Sequence, residues 1–297
     1  MHKTRTKIFR GAATALITPF KNGEIDFNAY EKLIEKQIAS GVSALVVCGT
    51  TGEASAMSVE EQLKCIEFAV SKSDKRVPVI AGSGSNCTKK AIHLSKKACE
   101  LGADALLIVT PYYNKANSEG LIEYYSNIAD ASTKPIILYN VPSRTGVNIP
   151  LEVYLMLSEH ENIAGVKEAS GNISSIARLA SKVSKDFAIY AGNDDQILPI
   201  LSLGGSGVIS VVSNVLPAET QLMCDAYFHG DSELALSLQL ELMEVIGALF
   251  SDINPIPVKY AMNVLGYCSN EVRSPLTSAN EEVKIRINKA LKEYGVI

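Results

Sequence analysis

Hydrophobic positions along the first two-thirds of this chain come in short, unbroken runs rather than in alternation. The runs are Ala12–Ile17, Ala44–Gly49, Pro78–Ala81, Ala105–Thr110, Pro135–Asn140, Ile163–Lys167, Ala188–Ala191 and Gly207–Val212. Unbroken apolar strands are those covered on both faces, as in a parallel sheet. Between them, Ser58–Ser71, Lys89–Leu101 and Ser118–Ala131 repeat their apolar residues at helical spacing, and Ser58 followed by Glu60 and Glu61 reads as a helix start. The seven steps between the eight runs average about 28 residues, close to the ~30 of a βαβ unit. Eight such units predict an α/β protein with a closed (β/α)8 TIM barrel, which has no edge strand to protect. The expected division is a catalytic barrel over residues 1–225 and a C-terminal helical extension over 226–297. After residue 217, the amphipathic runs Ser232–Phe250 and Asn280–Tyr294 are read as the last barrel helix plus the extension, with a break at Pro255–Pro257.

Composition narrows the function classes. The 297 residues are 47% hydrophobic and 20% charged, a balance that buries a sizeable core. Twenty-eight Lys and Arg against 32 Asp and Glu give a net charge of −4 with the signs interspersed, so no footprint for nucleic acid or a membrane surface is expected. The basic N-terminus leads into a short apolar stretch that ends at Pro19, which is not the pattern of a secretory leader. No apolar run reaches the ~20 residues of a membrane span. Six scattered cysteines without a C-x-x-C pair point to a reducing, cytoplasmic setting. The histidines, His2, His93, His160 and His229, lack metal-ligand spacing, so no metal is expected. No other cofactor is expected either.

In a barrel, chemistry is carried at the C-terminal ends of strands and in the loops that follow. Lys167 ends the sixth run, in Ile163-Ala-Gly-Val-Lys-Glu-Ala-Ser170, where alternation places Ile163, Gly165 and Lys167 on one face. Desolvation at an apolar strand end disfavours an ammonium and favours the free amine, the nucleophile toward carbonyls. A surface lysine, or one paired with Glu168, is the plain alternative. Tyr139 ends the fifth run, where a phenol can relay protons or simply pack at the rim. Thr50 and Thr51 lie in Cys48-Gly-Thr-Thr-Gly-Glu53, a turn able to bind a small anion or merely to cap a helix. Arg144, five residues past Tyr139, suits a substrate carboxylate or bare solvent. Gly82-Ser-Gly-Ser-Asn86 is neither a dinucleotide fingerprint nor a Walker loop.

Together these segments are more specific than any one of them. G-T-T-G-E at 49–53, V-T-P-Y-Y-N at 109–114, Y-N-V-P-S-R-T-G at 139–146, G-V-K-E-A-S-G-N at 165–172 and N-P-I-P-V-K-Y at 254–260 occur in order. Over essentially its whole length the chain resembles the pyruvate-dependent class I aldolase and lyase family. Within it, the chain is most similar to the synthase branch that joins pyruvate to L-aspartate 4-semialdehyde on the diaminopimelate route to lysine.

The resemblance implies that Lys167 forms a Schiff base with pyruvate, and that Thr50 links Tyr139 to Tyr113 of a neighbouring subunit in a proton relay. It further implies that Thr51 holds the pyruvate carboxylate, that Arg144 holds the semialdehyde carboxylate, and that Gly192 and Ile209 line the pyruvate pocket. N-acetylneuraminate lyases of the family differ in the Thr50 motif and lack the arginine of the Arg144 motif, which sugar-acid aldolases of the family tend to lack too. A non-catalytic sensor of 2-oxo acids on the same fold would need no nucleophile. Relatives are commonly homotetramers built as dimers of dimers, which sets the expected assembly. Lysine-inhibited members carry histidines and a glutamate where this chain has Val59, Gln62 and Lys90, so weak or absent inhibition by lysine is expected.

Overall fold

A computed structural model describes residues 7–297; His2 and the start of the N-terminal basic segment lie outside the described residues. Eight strands pair in parallel: β1 (Gly11–Ala15), β2 (Ala44–Val47), β3 (Val79–Gly82), β4 (Ala105–Val109), β5 (Ile136–Asn140), β6 (Ile163–Glu168), β7 (Ala188–Ala191) and β8 (Gly207–Ser210). β8 closes onto β1, so the sheet is a barrel. Every run read as a strand is one.

The unbroken hydrophobicity has a direct cause. Alternate residues of each strand face two different apolar environments. Ala13, Ala44, Val46, Ile80, Leu107, Ile137, Tyr190 and Ile209 pack inside the barrel, with Phe9 stacked on Tyr190. Leu45, Val47, Leu106, Ile108, Leu138, Val166, Ile189 and Val208 pack outward against the helices. Neither face meets water, so neither is polar.

Strand β6 departs from the simple alternation. Ile136 pairs with Ile163, but Ile137 pairs with Gly165, so Ala164 is an extra residue on β6. Ile163 therefore packs in the outer shell, not on the face of Gly165 and Lys167 as alternation predicts. The bulge also explains the glycine, because a Cβ at Gly165 would lie 2.2 Å from the Ala188 carbonyl oxygen.

The barrel helices are α1 (Phe27–Ala39), α2 (Val59–Ser73), α3 (Thr88–Glu100), α4 (Ser118–Ala131), α5 (Leu151–Ser158), α6 (Ile173–Ala180), α7 (Ile197–Ser202) and α8 (Pro217–Phe228). Ser58 caps α2 in a reciprocal capping box with Glu61. The last barrel helix is α8, which corrects the expectation that a run beyond 232 would supply it. Its buried positions include Thr220 and Gln221 beside Met223 and Cys224, so it lacks a clean apolar stripe. The expected division after residue 225 falls inside this helix.

The extension consists of α9 (Ser232–Glu241), α10 (Met243–Leu249), α11 (Ile256–Val264) and α12 (Glu281–Tyr294). The run Ser232–Phe250 is two helices that meet at Leu242. No described helix is long and apolar enough to cross a membrane. A hairpin not foreseen from the sequence, Phe20–Lys21 with Glu24–Ile25, turns on Asn22 and Gly23 at φ 55° and 81°.

Candidate active site

Parallel pairing of β5 with β6 puts Tyr139 opposite Lys167 and Asn140 opposite Glu168. Inward-facing Lys167 is 5% exposed, and its Nζ lies 4.5 Å from the centroid of the Tyr139 ring. Among the described residues, that amine has no hydrogen-bond or ion-pair partner. Outward-facing Glu168 is fully engaged elsewhere: it accepts from Asn140 Nδ2 at 3.0 and 3.1 Å, from the Tyr154 hydroxyl at 2.7 Å and from the Ser170 amide at 2.8 Å. The sequence alternative of a Lys167–Glu168 pair is thereby excluded by strand geometry. The same burial and the Glu168 carboxylate push the Tyr154 phenol well above its ordinary range.

The turn after β2 is wound tightly. Cys48 and Glu53, which bracket Gly49-Thr50-Thr51-Gly52, both take left-handed backbone angles, each at φ 55°. Gly82 makes room for it, since a Cβ there would sit 2.1 Å from the Cys48 carbonyl oxygen. Thr18 Oγ1 donates to the Gly52 carbonyl at 2.7 Å. Left-handed non-glycine residues cost free energy and persist where surrounding contacts over-determine them.

Those contacts come mostly from the extension. Glu53, 1% exposed at its side chain, forms an ion pair with Lys259 of α11 at 2.5 Å, and its Oε2 accepts from the Arg273 amide at 2.8 Å. Burial lowers the Lys259 pKa, and Glu53 opposes that shift. Arg273 in turn grips Glu61 of α2 through both guanidinium ends, at 2.5 and 2.7 Å, and donates to the Gly23 carbonyl of the hairpin at 2.8 Å. Lys259 and Arg273 both lie over the Phe20 ring, at 4.0 and 4.3 Å. Asn254 donates to Thr51 Oγ1 at 2.9 Å, and its carbonyl accepts from Arg144 Nη2 at 2.9 Å.

A cavity of about 290 Å³ opens among these strand ends. Thr50, Tyr139 and Arg144 line it, together with Gln62, Ser85 and Lys90. Arg144 reaches it from a helical turn, Pro142–Thr145, that ends at Gly146 with φ 68°. Lys167 adjoins this cavity through the Tyr139 ring but is not one of its lining residues, and neither are Thr51, Gly192 and Ile209. Ile209 is buried inside the barrel. Gly192 follows β7, its amide bonded to the Glu168 carbonyl at 2.8 Å, where a Cβ would lie 2.6 Å from that of Ala169. Tyr113 stands apart: it is 93% exposed, does not line the cavity and holds φ 69°.

Sequence reasoning missed several residues of this constellation. Asn254 and Lys259 belong to the N-P-I-P-V-K-Y segment but carry no local signal of what they touch. Asp194 is a further one: it is 1% exposed, its Oδ2 accepts from the Val211 and Val212 amides, and burial raises its pKa while the Lys167 charge draws it down. A carboxylate following Gly192-Asn193 at a strand end was the available clue. Chemically, an amine, a phenol, a hydroxyl and a guanidinium gathered at one barrel mouth can capture an oxo acid as an imine and move protons around it.

The sequence pattern of the Dihydrodipicolinate synthetase family matches residues 8–294. The 4-hydroxy-tetrahydrodipicolinate synthase of Alkaliphilus oremlandii is 50% identical over 290 residues, covering 98% of this chain and 100% of its own. The solved dihydrodipicolinate synthase of Thermotoga maritima superposes with a TM-score of 0.96 at 42% identity, over 98% of this chain and 100% of the other. A monomeric variant of dihydrodipicolinate synthase superposes equally, with a TM-score of 0.96 and 42% identity over 98% of each chain.

Proposed function

From the premise that this chain belongs to the Dihydrodipicolinate synthetase family, we propose a catalytic role for each residue gathered at its barrel mouth. The reaction is the condensation of pyruvate with L-aspartate 4-semialdehyde to 4-hydroxy-tetrahydrodipicolinate, a lyase step that leads into the diaminopimelate route to lysine. Lys167 attacks the keto carbon of pyruvate, and loss of water leaves an imine. Removal of a methyl proton converts it to an enamine, whose carbon adds to the aldehyde. The amine of the incoming substrate then displaces Lys167 as the ring closes.

The single observation that carries this assignment is the Lys167 amine lying 4.5 Å from the Tyr139 ring centroid at the barrel mouth, without an ion-pair partner among the described residues. Tyr139 and Thr50 move protons between the reacting atoms and solvent, with Tyr113 of a second copy completing the relay. Thr51 binds the pyruvate carboxylate and Arg144 that of the semialdehyde, while Gly192 and Ile209 bound the pyruvate side. The catalytic barrel runs through α8, which ends at Phe228, and the extension that follows braces it from outside. The assembly is a homotetramer, a dimer of dimers. Supporting it, Tyr113 is 93% exposed, and α9 presents Leu236 and Leu240 to solvent at 49% and 62%. The location is cytoplasmic, in keeping with six cysteines that are all free thiols.

Borohydride reduction in the presence of pyruvate, followed by peptide mass mapping, tests the assignment. The expected product is a reduced pyruvyl adduct on Lys167. A folded protein without that adduct, or with it on another lysine, overturns the mechanism.

A further inference from the structure

Thr51 and Arg144, the two groups assigned to substrate carboxylates, are tied to one residue of the C-terminal extension. The Asn254 side chain donates to Thr51 Oγ1 and its carbonyl accepts from Arg144, each at 2.9 Å. Asn254 is 7% exposed, and its Oδ1 has no partner among the described residues. The direction of the amide matters. Because Nδ2 donates to Thr51 Oγ1, the threonine hydroxyl keeps its own proton for another acceptor. An oxygen in that place would take the proton instead. The backbone of the turn is held independently, by the Glu53–Lys259 ion pair and by the Arg273 amide on Glu53. What Asn254 adds is therefore local: the orientation of one hydroxyl and the seat of one guanidinium.

We propose that Asn254 is a positioning residue that fixes Thr51 as a hydrogen-bond donor to the pyruvate carboxylate and holds Arg144 at the cavity that Thr50 and Tyr139 line. The proposal rests on the assignment of Thr51 and Arg144 to carboxylates given above. It separates the two ties. The Thr51 tie runs through the side chain and is removed by substitution, whereas the Arg144 tie runs through the backbone and survives it.

Steady-state kinetics of the full-length enzyme with both substrates test this in Asn254→Ala and Asn254→Asp. Loss of one oriented hydrogen bond is expected to raise the KM for pyruvate about five- to tenfold in the alanine variant. The aspartate, able only to accept and bearing a charge, is expected to raise it about tenfold further. Values of kcat stay within about threefold and the KM for aspartate semialdehyde changes less than that for pyruvate, because Lys167, Tyr139 and the Arg144 tie are untouched.

An unchanged KM for pyruvate in both variants overturns the proposal. So does an aspartate variant that binds pyruvate as well as wild type, or a loss of kcat alone that follows a fall in melting temperature. Should either variant fail to fold, the pair Thr51→Val and Thr51→Val/Asn254→Ser decides. With the hydroxyl gone, the second substitution is expected to change the KM for pyruvate by less than about twofold, and a larger effect counts against the proposal. Borohydride trapping with pyruvate keeps the two levels apart. Wild type without an adduct removes the underlying mechanism, whereas wild type with an adduct and an unmoved KM removes only the role of Asn254.

Discussion

Lys259 and Glu53 meet at 2.5 Å with side chains 0% and 1% exposed, so an ion pair shielded from water ties the active-site turn to the C-terminal extension. Such a pair adds little over a well-packed apolar one, but losing a single partner strands a charge. Lys259→Met is therefore expected to cost about 3–5 kcal/mol of unfolding free energy, measured by urea denaturation. Adding Glu53→Gln removes the stranded charge and recovers a large part of that loss. If the two substitutions are simply additive, the pair does not act as a unit.

The second clasp, Arg273 on Glu61, gives a pH signature. Hydrogen bonding to Arg273 and its positive charge lower the Glu61 carboxyl from its ordinary value of 4.5. In the window between the lowered folded value and 4.5 the unfolded chain binds more protons. Stability from this contact is thus fully present above about pH 4.5 and is lost as pH falls through the folded value. Melting temperatures of wild type and Glu61→Gln are expected to differ at neutral pH and to converge in acid. A gap that stays constant down to pH 3 assigns the effect to packing rather than charge.

How much of this was legible beforehand follows from what each feature depends on. The barrel was readable because both faces of every strand are dry, and that condition is written in consecutive residues. Lys167 and Tyr139 stood out as candidates because polar groups at the ends of apolar strands are anomalous within their own segment; that they face each other follows from the pairing of β5 with β6. Ile163 was misplaced because a bulge, one unpaired Ala164, shifts the face and leaves no local mark except Gly165. Asn254 and Thr51 are 203 positions apart, and nothing near either residue encodes the other. The extension looked like surplus helix; its ties to Glu53, Thr51 and Arg144 exist only in three dimensions.

The bulge itself makes a prediction. Gly165 sits where a Cβ would lie 2.2 Å from the Ala188 carbonyl oxygen and 2.9 Å from its Cβ, both on the neighbouring strand. Backbone cannot move aside as a flexible side chain does. Gly165→Ala is expected to cost at least about 1–3 kcal/mol and to shift β6 two residues before Lys167. Activity should fall beyond what the folded fraction explains, in kcat rather than in KM. A variant with full stability and full kcat means that β6 tolerates the shift.

Tyr139 permits a test of roles rather than of stability. Its ring packs near the Lys167 amine, a contact that phenylalanine keeps, while the proposed proton relay needs the hydroxyl. Tyr139→Phe is therefore expected to lower kcat by about 10²–10⁴ while the Lys167 adduct still accumulates slowly under borohydride. Unchanged turnover assigns the tyrosine to packing alone.

Control by the pathway's end product is the remaining question, and three residues bear on it. Gln62 and Lys90 line the same cavity as Thr50, and Val59 is the first residue of α2, which carries Gln62. Gln62 is committed, donating to the Ala54 and Met57 carbonyls at 2.8 and 3.2 Å. It therefore offers an arriving ammonium no charge, and Lys90 repels one. Steady-state assays with added lysine are expected to show weak inhibition or none across the physiological range. Half-inhibition at sub-millimolar lysine means that acidic or carbonyl partners from a second copy complete a site this chain does not form alone. Lys90→Glu supplies the missing charge and is expected to increase sensitivity to lysine, measured as a lower concentration for half-inhibition with little change in kcat.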